Sequence, residues 1–439
     1  MVTTAELIDS DRRHLWHSFT APRASREPEP LLLIDHADPR NHHDATVAEY
    51  IDALSSEHDV HGRGHPAIDA AIRDQLERVA HPVLHDPPNE PAIELARRLI
   101  AIAPVGLERV FYCDSGSSAV DLALKMVSQW WAQRGETERM RFIRLESADH
   151  GDPRKRASAQ GSELVRSPDR RFVFERIQVR ACDAADLEPV LAAIGDRVAG
   201  VIVEPLVQAT AGMRLQPRGY LRRVRDLCDE HRVLLICDEV TTGFGRTGRM
   251  FACEHEQVTP DLLCVGDGLT SGYLPLAATI TTELVYDGCL GGADCQPFPP
   301  GRTLTANPLA CAAGVATLQT LESERTLELL EPKIGLLSRL LEQRVAVLPG
   351  VTEVRQLGMM VGIELLAPIA PDHDPVRQAV LAARRRGAAI GSCGDVIVLT
   401  PALAITDDDL RRLVAITASS IAEAYVGRLP GARVTLRRA

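Results

Sequence analysis

Lysine is nearly absent from this chain. Of its 49 basic residues only Lys125, Lys155 and Lys333 are lysines, so chemistry that runs through a lysine amine has three candidates. Aromatic residues make up only 4% of the 439 positions, which leaves the core to aliphatic packing. No apolar run reaches the roughly 20 residues that a bilayer crossing requires. An excess of positive charge is missing as well: the formal net charge is −11, which argues against nucleic acid or an anionic membrane as a partner. The opening residues, Met1-Val2-Thr3-Thr4-Ala5-Glu6, show neither the basic nor the apolar region of a secretory leader, so the expected location is cytoplasmic. The ten cysteines include no C-x-x-C pair, and Cys113, Cys237 and Cys264 lie in apolar runs. Reduced, buried thiols are expected rather than disulfides or a metal site.

What is present is enough apolar material, 45%, for a large core in a chain longer than one ordinary domain. From about residue 66, helical and short apolar segments alternate, the pattern of a mostly parallel sheet covered by helices on both faces, an α/β fold. Strands are expected at 110–113, 198–203, 233–237 and 262–265, and helices at 118–131 and 220–231. The polar, arginine-rich stretch 144–170 reads as a long loop. Past residue 325, a helix at 326–348, short strands at 361–365 and 396–399, and a last helix capped at Thr406 suggest a smaller α/β domain. The expected division is an N-terminal segment, 1–65, contributing to the small domain; a large domain, 66–325; and a C-terminal small domain, 326–439.

Two turns carry candidate chemistry. Asp114-Ser115-Gly116-Ser117-Ser118 joins a strand to a helix N-terminus, where free N–H groups and the helix dipole suit an anion. Taken alone, it reads first as an ordinary helix cap, and only the wider motif strengthens the anion reading. Asp238 ends an apolar strand, at the edge where open α/β sheets bind ligands, and a buried carboxylate there needs a partner.

These motifs sit in a wider resemblance that runs nearly end to end. Asp238-Glu239-Val240-Thr241-Thr242-Gly243-Phe244-Gly245-Arg246-Thr247-Gly248 resembles the D-E-x-x-T-G-F-G-R-T-G motif of class III aminotransferases. Cys264-Val265-Gly266-Asp267-Gly268-Leu269-Thr270-Ser271-Gly272-Tyr273 resembles their C-x-G-K-x-L-T-G-G-Y segment. Glu204-Pro205-Leu206-Val207-Gln208, Glu90-Pro91-Ala92-Ile93-Glu94, Trp16-His17-Ser18-Phe19-Thr20 and Gly301-Arg302-Thr303-Leu304-Thr305-Ala306-Asn307-Pro308 point to the biotin-pathway 7,8-diaminopelargonate branch. The resemblance implies a fold-type I aminotransferase fold, pyridoxal phosphate and a homodimer with its site at the interface. It places Ser115, Gly116 and Ser117 at the phosphate, Asp238 on the pyridinium nitrogen, Glu204 and Gln208 near the cofactor, and Thr303 on the partner subunit's phosphate.

The departures fall in one place. Asp267 stands where the family lysine forms the Schiff base and shuttles the substrate proton, and an aspartate does neither. Asp149, in Ala148-Asp149-His150-Gly151-Asp152, replaces the ring that stacks on the cofactor. The branch's substrate-facing tryptophan is missing from Ser55-Ser56-Glu57-His58-Asp59-Val60-His61-Gly62-Arg63, and its carboxylate-binding arginine from Ile390-Gly391-Ser392-Cys393-Gly394-Asp395. The expectation is a repurposed biosynthetic enzyme acting on a small molecule. It would hold pyridoxal or pyridoxamine phosphate without a covalent link and use Asp267, Asp149 and His150, with His58 or His61 nearby, as acids and bases. The alternatives are a cofactor-free acid/base enzyme in the same pocket and a non-catalytic partner subunit. Asp267 also reads as a plain turn residue between two glycines.

Overall fold

The computed structural model describes residues 4–16, 34–37, 41–44, 49–53, 60–62, 64–80, 89–146, 148, 163–166, 173–180, 184–290, 305–366, 374–426 and 435–438. Its centre is an eight-stranded sheet built from β1 (Leu107–Cys113), β2 (Arg141–Leu145), β3 (Glu163–Arg166), β4 (Val173–Val179), β5 (Val198–Val203), β6 (Leu234–Glu239), β7 (Leu262–Val265) and β8 (Ala277–Thr282). Their spatial order is β1-β8-β7-β6-β5-β2-β4-β3. Strands β7, β6, β5, β2 and β4 pair in parallel. β8 runs antiparallel to both β7 and β1, which makes β1 parallel to the rest.

Helices are positioned by their caps and apolar faces. Helix α1 (Pro66–Arg78) opens on His65, α2 (Glu90–Ile102) on Asn89 and α3 (Gly116–Gln133) on Ser115, each side chain accepting a first-turn N–H. Val120, Ala123, Val127 and Trp130 of α3 pack on one face of the sheet, against Leu234 and Ile236 of β6 and Leu262 and Cys264 of β7. Leu235 and Cys237 face the opposite cluster, which also takes in α4 (Tyr220–Glu230) and much of the C-terminal part. Helix α5 (Pro308–Ser323), capped by Asn307, packs on α1 and α2, and α6 (Thr326–Arg344) follows it.

The C-terminal part contains a sheet of Gly391–Cys393, Val396–Leu399, Met360–Leu365, Val351–Leu357 and Thr435–Arg438. A separate small sheet joins the two ends of the chain, because Ala388–Ala389 pairs in parallel with Glu49–Asp52.

Two sequence expectations need correcting. The 144–170 stretch is not loop throughout: β2 reaches Leu145, and β3 forms an antiparallel hairpin with β4. The third expected strand does not end before Asp238 but runs on through Glu239, which puts two adjacent carboxylates on opposite faces of β6. The eight described cysteines are free thiols, seven of them buried, and burial pushes Cys228 and Cys311 up to about 12. Among the described residues no helix is long and apolar enough to cross a membrane.

Candidate active site at the carboxyl edge of the sheet

Register gathers the candidate residues at one edge. Glu239 pairs with Val265, Val265 with Ala278, and the neighbouring Ala277 with Cys113. The segments leaving β6, β7 and β1, which begin at Val240, Gly266 and Asp114, therefore emerge side by side. β5 ends there too, since Cys237 pairs with Val203, so Glu204 leaves the sheet next to Asp238.

The Ser115 turn is organised by its own hydroxyls. Ser115 Oγ accepts from the Ser118 amide at 3.3 Å and lies 2.8 Å from Ser118 Oγ, which donates to Asp114 Oδ1 at 2.7 Å. The first-turn N–H groups of Gly116 and Ser117 have no partner within the helix, as at any helix start. Gly116 is required here by packing: a Cβ would lie 2.4 Å from Val240 Cγ1. Gly266 meets the same side chain, with a Cβ 2.6 Å from that atom. Val240, two residues past Asp238, is thus clasped between the anion turn and the residue before Asp267. Nothing in the sequence singled it out.

Asp238 is buried on the α3 side of the sheet, and its Oδ1 accepts from the Val240 amide at 3.3 Å. Glu239, on the other side, is fully buried in a cage of donors: Ala252 N at 2.6 Å, Cys253 N at 2.8 Å and Thr242 Oγ1 at 3.1 Å. Burial nevertheless pushes Glu239 up to about 7. It was not among the expected acid/base residues, and desolvation rather than carboxylate crowding raises it. Glu204 is buried, and its Oε2 accepts from Ala209 N at 3.0 Å. Gln208 is fully buried and donates to the Glu146 carbonyl at 3.1 Å, while its Oε1 has no partner among the described residues.

Asp267 opens a single 3₁₀ turn, Asp267–Thr270, directly after β7, and its side chain is outside the described part. Asp149, His150, Thr303, Lys155, Glu57 and His58 lie outside the described residues altogether. His61 is described, and the proton role considered for it does not fit its setting. It is 2% exposed, burial lowers it to about 4, and its Nε2–H is committed to the Thr317 carbonyl at 3.1 Å. A neutral, buried imidazole so committed serves packing rather than acid chemistry.

The donor set is compatible with the cofactor that the resemblance implies: a helix N-terminus suits an anion, the buried Asp238 carboxylate suits a protonated nitrogen, and Gln208 Oε1 holds an unused acceptor.

Comparison with known proteins agrees with this geometry. The aminotransferase class-III family pattern matches residues 23–421. An adenosylmethionine-8-amino-7-oxononanoate aminotransferase of Nitratidesulfovibrio vulgaris is 46% identical, covering 94% of this chain and 80% of its own length. The crystal structure of the enzyme of that name from Methanocaldococcus jannaschii matches with a TM-score of 0.89 at 33% identity, over 96% of this chain and 99% of the other. An amine transaminase from an uncultivated Pseudomonas species, solved in its PLP-bound (internal aldimine) form, matches with a TM-score of 0.81 at 27% identity, over 94% and 99%. An anion turn, a buried strand-end aspartate and an end-to-end match lead to one assignment: this chain belongs to the class III aminotransferase family and has its fold-type I architecture.

Proposed function

We propose that this protein is a repurposed class III aminotransferase, a biosynthetic enzyme for a small molecule that binds pyridoxal or pyridoxamine phosphate without a covalent link. The observation that carries the reading is positional. The turn leaving β7 beside Asp238 begins with a carboxylate where the family motif has its lysine. The other described lysines offer no replacement. Lys125 lies nine residues along α3 from Gly116, about 14 Å down the axis, and pairs with Asp121 at 2.7 Å. Lys333, on α6, donates to the Leu403 carbonyl at 2.9 Å.

In this reading Ser115, Gly116 and Ser117 hold the phosphate, with Thr303 reaching it from a second copy of the chain in a homodimer. Asp238 pairs with the ring nitrogen, and Glu204 and Gln208 line the cofactor's surroundings. When bound, the cofactor supplies an electron sink for charge developing on the substrate. Asp267, with Asp149 and His150, holds and moves protons in place of a tethered amine. This reading departs from the reaction for which the adenosylmethionine-8-amino-7-oxononanoate aminotransferases are named. The positions matching the nucleophile, ring stacker, pocket tryptophan and carboxylate clamp have all changed, while the phosphate turn and Asp238 remain.

The test is a spectral titration of purified protein with pyridoxal phosphate and with pyridoxamine phosphate. Saturable binding with no stoichiometric borohydride-reducible adduct is expected. Failure of both to bind favours the cofactor-free reading, and a reducible one-to-one adduct overturns the lysine-less chemistry.

A further inference from the structure

One residue directly after the Asp267 turn makes contacts that a glycine in its place could not make. Ser271 occupies the first glycine position of the family's T-G-G-Y pattern, and its φ is +53°, in the left-handed region that favours glycine. It is 1% exposed. Its own amide closes the turn by donating to the Gly268 carbonyl at 3.1 Å. Its Oγ accepts two backbone amides from a segment more than 200 positions away in the chain: Val60 N at 3.1 Å and His61 N at 3.0 Å.

Those two amides lie in the strap that resembles the family's substrate-facing segment, just past the missing tryptophan. Without Ser271 Oγ, two buried N–H groups would lose that acceptor, which a folded chain rarely tolerates. Neighbouring contacts reinforce the joint. Tyr273 Oη accepts from His65 N, and the His61 ring is tied to Thr317 of α5.

We infer that Ser271 is a positioning residue, clamping the Val60–His61 backbone to the turn that begins at Asp267 so that the two are held as one unit. This rests on the reading that the pocket holds pyridoxal or pyridoxamine phosphate. A ligand seated on the turn then finds Val60 and His61 already in place, held by a side-chain oxygen that glycine lacks.

The clamp makes protection of the Val60 and His61 amides follow the oxygen alone, whereas stability follows both the oxygen and the backbone strain. Ser271→Gly removes both the oxygen and the strain, Ser271→Ala removes only the oxygen, and Ser271→Thr keeps the oxygen but worsens the strain with a branched Cβ. Residue-resolved hydrogen exchange is expected to show the Val60 and His61 amides exchanging at least tenfold faster in the glycine and alanine variants. In the threonine variant they should stay near wild type, although its strained backbone lowers its Tm. The dissociation constant for pyridoxamine phosphate should rise three- to tenfold in the glycine and alanine variants only. Protection that simply tracks Tm across the three, or an unchanged dissociation constant despite lost protection, overturns the positioning role and leaves the pocket assignment standing. Wild-type protein that binds no pyridoxamine phosphate overturns the pocket assignment, and the role of Ser271 falls with it.

Discussion

Gly116 shows how a residue chosen for one reason in a sequence is held by another in the fold. Read as a motif, it leaves room for a phosphate; in the structure its missing Cβ leaves room for Val240, whose Cγ1 and Cγ2 would stand 2.4 and 2.9 Å away. Gly116→Ala is expected to cost about 1–3 kcal/mol through overpacking of this contact. Val240→Ala in the same chain removes both clashing carbons, so the double variant should melt within about 1 kcal/mol of Val240→Ala alone, judged against the normal ±0.5 kcal/mol additivity of separate sites. Because the added methyl points at Val240, pyridoxamine phosphate binding should recover as well. Persistent loss of binding would return the glycine to a direct role at the phosphate. Glu239 carries the second prediction at this scale. Its carboxyl is raised by burial from 4.5 to about 7, so the folded state holds the proton more tightly than the unfolded chain does. Its contribution is therefore fully present below pH 4.5 and lost as pH rises to about 7, after which it is flat. The change is on the order of 3 kcal/mol. Denaturant melts of Glu239→Gln, compared with wild type from pH 5 to 8, should show the wild-type slope flattened by the substitution. Parallel pH profiles would mean that the donor cage already holds the carboxyl near its ordinary value.

At the scale of elements, the Ser115 cap is what starts α3 beside the sheet edge. The periodicity of apolar residues places that helix from Ser118, but the structure starts it at Gly116, because a serine accepting the Ser118 amide ends the extended strand and opens the first turn. Ser115→Ala should cost about 1 kcal/mol, read by thermal melting, and should also weaken any anion held by that turn. The elements that escaped the sequence are those whose signal is non-local. β8, Ala277-Ala278-Thr279-Ile280-Thr281-Thr282, is too rich in small residues for a buried-strand pattern, yet it inserts antiparallel between β1 and β7. β3 lies in an arginine-rich stretch and becomes a strand by pairing with β4. By contrast, the aliphatic runs of β5, β6 and β7 announced themselves, since strands buried on both faces read as continuous apolar segments. The carboxyl-edge position of Asp238 was legible for the same reason. The clasp on Val240 and the Ser271 clamp were not, because each joins segments far apart in the chain that only the folded structure brings together.

Across the whole molecule, the scarcity of lysine turns the central question into a single experiment. Only three amines other than the N-terminus could capture an aldehyde, and the structure ties two of them down: Lys125 to Asp121 and Lys333 to the Leu403 carbonyl. Arginine can keep both contacts, because its guanidinium stays charged and offers more donors than an ammonium. It does not form the covalent link. A chain with Lys125, Lys155 and Lys333 all changed to arginine should therefore fold with a Tm within a few degrees of wild type. At Lys125 and Lys333 the change conserves charge at a site with one modest contact, of the kind that usually alters stability by about 0.5 kcal/mol or less. If Asp267 stands in a pocket that holds its cofactor by phosphate, ring nitrogen and shape alone, the lysine-free protein will bind pyridoxal phosphate and pyridoxamine phosphate within about twofold of wild type, since none of those contacts uses an amine. If instead Lys155 reaches in to replace the family nucleophile, pyridoxal phosphate affinity will collapse while pyridoxamine phosphate, which has no aldehyde to capture, is spared. The two cofactor forms thus report separately on covalent capture and on the pocket, and the lysine-free chain decides between them without any knowledge of the substrate.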